Sequence, residues 1–474
     1  MRRFHFLTVV ALTSLCACGG SGGDAPTVAA PTPAPIPAPP PSPGPTPVDM
    51  GASRIPLVDL GINLYNPTMQ TGSGYQGGLY ASGANVIPAT HRAAGLVKAN
   101  AIQPLDANGN ASATGKIVLV GIGMSNTTQE FCTGDSPLAM TCGGTTGRMC
   151  NATTGRLWQQ NCHATSFMGQ AAVEPGLNPN LVIVNGAAGS RVAAHWISPT
   201  QAITPGFDDF SVNGTTVTCG STDGVTDNQY ERIKNCVLPA VGVSEAQVQI
   251  AWVKVANPGP TRHLATTGVN NNADKSDGFC QTRATPFNNM QSEAAALQEN
   301  IGCILRALKV RYPRIKQVFL SSRIYAGYAT SNLNPEPYAY EYGFAVKWVI
   351  DAQIRQAAGQ SVDAVSKNLS YDDANGVAPW VAWGPYLWAN GTTPVQTGGL
   401  TPDVAGLAYF PFVDANGDGQ HDAGQPATDF QNDNTHPMVN RSPSAQEKVG
   451  RLLNRFFADS PLTRCWYKTG EVCQ

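Results

Sequence analysis

Two features of this 474-residue chain are suited to chemistry: a serine among small residues, and an acid three positions ahead of a histidine. The serine is Ser125 in KIVLVGIGMSN (116–126), where an apolar run passes two glycines before the hydroxyl. The acid and histidine are Asp433 and His436 in DNTHP (433–437). A neutral imidazole can take a serine proton and return it to a leaving group, while a carboxylate fixes its tautomer and steadies the charged ring. Singly, each has a bland reading: Ser125 as a cap of the next element, His436 as a loop histidine. Taken together they point to acyl transfer through a serine.

Such a serine must be held by rigid elements, and the apolar runs supply them. Continuous runs at 116–122, 181–184, 248–253 and 317–320 read as strands buried on both faces. Helical spacing occupies 292–309 and 340–358. A terminal helix follows Ser442, which can cap it with Pro443 in the first turn, and Val449, Leu452, Leu453, Phe456 and Phe457 form its stripe. Strands alternating with helices predict an α/β domain over 54–474, a mostly parallel sheet in three layers. A serine at the carboxyl end of a parallel strand then sits where open α/β sheets place their ligand crevices.

With these elements in place, the chain resembles the SGNH hydrolases, the GDSL-like serine esterases and lipases. Gly123, Met124, Ser125 and Asn126 match the family's nucleophile block, with Met124 in place of its usual aspartate, and Asp433 and His436 match its last block. The resemblance implies an SGNH-like fold, with long insertions stapled by disulfides, and a Ser-His-Asp mechanism through an acyl-enzyme. It also implies an oxyanion glycine, for which Gly189 in NGAAG (185–189) stands one residue early. A backbone N–H there, beside that of Ser125, would steady the developing oxyanion. The third block departs from the pattern. AWVKVAN (251–257) puts Lys254 near the place of the family's side-chain donor asparagine, and Asn257 three residues later; either is a candidate donor. Arg323 and Tyr325 follow the fourth strand and are candidates to line the crevice. Arg191, His195 and Trp196 either contact substrate or order the glycine loop, and 75–88 (YQGGLYASGANVIP) is a candidate binding rim.

No cofactor is required by this chemistry. A calcium loop is nevertheless suggested at 414–422, where Asp414, Asn416, Asp418, Gln420 and Asp422 bracket a turn glycine, although Gln425 replaces the closing glutamate. Its role would be structural, holding the insertion ahead of DNTHP.

The first residues read as export machinery. Arg2 and Arg3 precede a short apolar run, and Leu15 to Cys18 resemble a lipoprotein signal with Cys18 as the lipidated residue, giving a signal region at 1–18. A Gly- and Pro-rich tether spans 19–53. An outer-membrane or cell-surface lipoprotein is expected, with the periplasm or the medium as alternatives and the lipid as the sole membrane contact. Setting aside Cys16 and Cys18, ten of the 12 cysteines remain, an even number that favours disulfides in an oxidising compartment. Cys219 with Cys236 and Cys465 with Cys473 are natural local pairs.

With 30 basic against 32 acidic residues there is no cationic footprint for nucleic acid. The expected partner is an ester-bearing small molecule, glycan or lipid. The low charge, 13% of residues, fits a carbohydrate or cell-surface acetylesterase. A lipase or thioesterase, or an inactive surface-binding protein on the same fold, are the alternatives. If calcium holds 414–422, a chelator lowers the melting temperature of the protein; no shift with chelator or added calcium removes the ion from the account.

Overall fold

The strands of the main sheet are the most deeply buried of the described elements of the chain. In a computed structural model, every residue of β1 (Ile117–Gly123) is buried, as is every residue of β3 (Val248–Lys254), β4 (Gln317–Leu320) and β5 (Trp380–Trp383). β2 (Leu181–Asn185) is buried except at its last residue. Burial of each Val, Leu, Ile or Phe side chain contributes about 1.5–3 kcal/mol, and burial along both faces demands cover on both. The structure describes residues 55–65, 74–133, 162–199, 210–212, 215–217, 229–264, 292–372, 375–389, 391 and 429–474, all within one structural unit spanning 44–474. The calcium-loop residues 414–422 and the segment ahead of 54 lie outside them.

The five strands pair in the order β2-β1-β3-β4-β5, all parallel. The first four coincide with the expected runs to within a residue. The fifth was not anticipated: WVAW is too short and too rich in tryptophan to show a period. Its rings are anchored individually, Trp380 Nε1 donating to the His91 carbonyl (3.1 Å) and Trp383 Nε1 to the Leu79 carbonyl (2.7 Å). This second bond anchors one end of the segment expected as a rim, in which Gln76, Ala81, Ser82, Ala84 and Val86 stay exposed. Leu79 and Tyr80 are buried, and Lys347 Nζ donates to the Gln76 carbonyl (2.7 Å), so 75–88 packs against the sheet edge and a helix.

The helices follow from caps and stripes. Naming those that bear on the site, α1 is Ser125–Phe131, α2 is Phe167–Ala172, α3 is Glu293–Arg311, α4 is Tyr338–Ala357 and α5 is Ala445–Asp459. Ser292 caps α3 by accepting from the Ala295 N–H (3.3 Å). The cap of α5 is Ser444, not Ser442: Ser444 Oγ accepts from the Glu447 N–H (3.1 Å), and Ser442 Oγ donates to the Glu447 carboxylate (2.7 Å). The spacing Ser444-x-x-Glu447 is the capping signal that decides it. α3 packs on α4, and α5 packs on α1 and α2. Phe456 and Phe457 on α5 meet Phe319 of β4, which seats the terminal helix on the sheet.

In this strand order the chain runs from β1 to β2 on one side and later returns to β3 on the other. The crevice of such a sheet lies outside the carboxyl ends of β1 and β3. At that point Gly123 is required. A Cβ there would collide with the Lys254 carbonyl and Thr127 Oγ1, so this glycine serves close packing of β1, β3 and α1 and not substrate access, as does Gly121 against the Phe131 ring. Gly123→Ala is expected to destabilise the protein by about 1–3 kcal/mol through this overpacking, measured by denaturant unfolding; an unchanged midpoint contradicts the packing.

Candidate active site

Ser125 is the first residue of α1, immediately after the extended Met124. Met124 is the N-cap position and makes no capping bond; the serine hydroxyl does not turn back onto its own helix. It faces His436 instead, with Ser125 Oγ 2.6 Å from His436 Nε2. On the other side of the ring, Nδ1 is hydrogen-bonded to Asp433 Oδ2. A carboxylate only accepts, so Nδ1 carries the proton and Nε2 presents a lone pair to the hydroxyl. The three residues form one continuous chain of hydrogen bonds.

The Asp433–His436 turn is shaped by its own backbone. Asp433 Oδ1 accepts from the N–H groups of Thr435 (3.1 Å) and His436 (2.9 Å), while Asn434 adopts a positive φ of 53° that asparagine tolerates. Phe430 and Pro437 bridge the base of the loop, and Gln431 N donates to the His436 carbonyl (2.9 Å). Burial works against the Asp433 charge, but the imidazole and the two N–H groups outweigh it and hold its carboxyl down at about 2. The carboxylate's contribution to stability is therefore complete above its ordinary value near 4 and is lost as pH falls towards 2. The side chains are partly exposed, His436 at 19% and Asp433 at 34%, so solvent reaches the edge of the triad.

Two backbone donors are left unengaged among the described residues. Gly189 is exposed, and its N–H makes no hydrogen bond with the described residues; nor does the N–H of Ser125 at the start of its helix. The glycine loop is held to β1 by the Ala188 N–H, which donates to the Gly123 carbonyl (3.2 Å). A Cβ at Gly189 would meet nothing within 4 Å.

The two side-chain donor candidates are directed elsewhere. Lys254, fully buried, is ion-paired with the equally buried Glu130 of α1, its Nζ 2.6 Å from Oε2. Strand β3 ends at Lys254, whose carbonyl accepts from Thr127 Oγ1 (2.8 Å), so the lysine stem is drawn under the helix. Burial pulls the Lys254 ammonium down, with Arg323 adding to the effect and Glu130 opposing it, to about 8. Asn257 is also buried: its Oδ1 accepts from Asn300 Nδ2 (2.9 Å) and its Nδ2 faces the Glu293 carboxylate (3.4 Å). Its amide stitches the end of the strand to the start of α3.

The other candidates differ in burial, Arg323 and Trp196 being buried and Tyr325 and His195 half-buried. Arg323 is 2% exposed and lines no surface. Tyr325 stacks edge-on against Tyr328 and Trp388. Trp196 is buried and donates to the Arg191 carbonyl (3.0 Å), ordering the segment after the glycine loop. His195 is held below its ordinary pKa by burial and by Arg191. Residues not singled out for this role are Glu130, Thr127 and Thr435. A glutamate five positions after the nucleophile carries no local signal of a buried partner, since that partner lies on a different strand.

Two disulfides join described residues, Cys132–Cys162 and Cys465–Cys473. The second is the local pair expected; the first closes 30 residues just beyond α1. Cys236 is also disulfide-bonded, and its expected partner Cys219 lies outside the described residues. Among the described residues no cluster of three or more His, Cys, Asp or Glu is arranged for a metal, and no helix is long and apolar enough to cross a membrane. No family model, curated protein or solved structure matches the chain.

The buried Lys254–Glu130 pair supports a prediction. Lys254→Met leaves the Glu130 carboxylate buried without its counterion and is expected to cost about 3–5 kcal/mol, whereas Lys254→Met with Glu130→Leu recovers most of it. Denaturant titration of the single and double variants measures this; equal losses in both contradict the pairing.

Proposed function

We propose that the protein is a serine ester hydrolase of SGNH type. The observation that carries this reading is the unbroken hydrogen-bonded chain from Ser125 through His436 to Asp433, at the crevice end of a parallel sheet. In this reading Ser125 Oγ attacks the ester carbonyl carbon while His436 Nε2 takes its proton. The oxyanion is met by the N–H groups of Ser125 and Gly189. As the tetrahedral intermediate collapses, the C–O bond to the alcohol breaks and His436 returns the proton to the departing oxygen. Water then gives its proton to His436, attacks the acyl-enzyme, and releases the acid with Ser125 restored. Asp433 stays ionised and keeps the imidazole oriented.

A two-donor oxyanion site follows from the engagement of Lys254 and Asn257 with Glu130 and Glu293. Each donor of this kind is worth about 3 kcal/mol in the barrier. The three-layer SGNH assignment rests on the parallel order of the sheet together with the nucleophile and last blocks. Export is supported by the disulfides, which persist in oxidising compartments, and the lipidated Cys18 would tether the enzyme at a membrane surface. Within the ester class, the polar, weakly charged composition favours acetyl groups on a carbohydrate or cell-surface polymer over a long acyl chain.

The test is hydrolysis of short-chain activated esters by the purified chain lacking its first 18 residues. Ser125→Ala and His436→Ala are each expected to lower kcat by about 10⁶-fold, and Asp433→Asn to lower it by about 10⁴-fold through the wrong tautomer. Turnover unchanged in Ser125→Ala or His436→Ala removes the assigned roles.

A further inference from the structure

The residues that follow the nucleophile and precede the base are themselves joined. Asn126 Nδ2 donates to the Thr435 carbonyl (2.9 Å), and Asn126 Oδ1 accepts from Arg323 Nη1 (2.8 Å). All three residues are buried, at 2%, 1% and 2% exposure for Asn126, Thr435 and Arg323. The orientation of the asparagine amide is set by its partners, since a guanidinium only donates and a carbonyl only accepts. Arg323 is fixed in turn by donation from Nη2 to the Leu333 carbonyl (3.1 Å). The same 321–337 loop reaches the backbone of Asp433, with Thr330 Oγ1 donating to its main-chain carbonyl (3.3 Å).

These contacts have a geometric consequence. The loop carrying Asp433 and His436 closes on itself through 430–437, so its internal bonds fix the acid against the imidazole but not the imidazole against Ser125. Within the loop, the Thr435 carbonyl is the acceptor for a side chain of α1, and that side chain belongs to the residue next to the nucleophile. Arg323 holds the amide so that its donor, and not its acceptor, faces the loop.

We infer that Asn126 and Arg323 are positioning residues, a buried strap from α1 to the Thr435 carbonyl that sets the His436 ring against the Ser125 hydroxyl. This rests on the esterase reading and extends it. The strap acts through Thr435 and touches neither substrate nor the reacting atoms. Misplacement of a base by about 1 Å costs about 100-fold in rate, and a strap of this kind is read in kcat with little change in KM.

Asn126→Asp separates positioning from simple structural support. The carboxylate keeps an acceptor for Arg323 but has no donor for the Thr435 carbonyl, which it repels. The expected result is a folded protein with kcat lowered by about 100-fold and KM within about twofold of wild type, and Asn126→Ala equally impaired. If Asn126 only satisfies Arg323, Asn126→Asp retains wild-type kcat, and that result overturns the inference. Should Asn126→Asp not fold, Arg323→Lys decides: one ammonium cannot hold both Asn126 Oδ1 and the Leu333 carbonyl, and kcat is expected to fall by about tenfold or more, whereas wild-type kcat overturns the inference. Ser125→Ala is assayed alongside. Loss of turnover there with an active Asn126→Asp leaves the esterase reading standing and the strap refuted; turnover in Ser125→Ala refutes both.

Discussion

A proton cannot pass between Ser125 and His436 unless two residues 311 positions apart in sequence are brought within 2.6 Å. Most of the remaining structure can be understood as what this contact demands. The serine end is fixed because β1 is buried along its whole length and passes directly into α1. The histidine end is fixed because α5 lies on the sheet through Phe456 and Phe457, and its first turn carries Gln446, whose Nε2 donates to the Gln129 carbonyl of α1 (2.6 Å). Lys448 on the same helix pairs with Asp429 at the entrance of the loop, 2.6 Å apart. The order β2-β1-β3-β4-β5 then leaves the crevice open at the carboxyl end of β1.

The polar groups under this crevice differ in kind from those within it. Asp433 keeps its charge because three donors converge on one partly exposed carboxylate. Glu130 and Lys254 have no solvent at all and depend on one another, with burial raising the carboxyl and lowering the ammonium. Arg323 adds a second buried cation beside them. Its fork is divided between Asn126 and the Leu333 carbonyl, and its Nε has no hydrogen-bond partner among the described residues. The carboxylates of Glu130, Glu336 and Asp433 all favour its charge, against the cost of burying it. The low charge of the chain as a whole makes this concentration of ionised groups under α1 more telling than the same groups on a surface.

Much of the scaffold was legible in the sequence because it is written locally. Four strands are uninterrupted apolar runs, and α3 and α5 carry stripes at helical spacing, although the cap of α5 was read two residues early. The meeting of Ser125, Asp433 and His436 was legible because their residue types, taken together, suggested it before any fold was known. What could not be read is pairwise and distant. Lys254 resembled an oxyanion donor only while its partner on α1 was unknown. Asn257 was chemically apt, but its amide is taken up by Glu293 and Asn300. Segment 75–88 had the aromatic and glycine content of a rim, but no local sign that the Leu79 carbonyl would accept from Trp383 on a distant strand. The strap of Arg323, Asn126 and Thr435 joins three segments, none of which carries a local sign of the others.

The most direct test of the central claim is labelling of the folded protein by a fluorophosphonate, followed by mass spectrometry of its peptides. An activated Ser125 is expected to take up one phosphonyl group per chain on the peptide containing residue 125, and His436→Ala is expected to lose the adduct while remaining folded. No adduct on the wild-type protein, or an adduct at another serine that persists in His436→Ala, contradicts it.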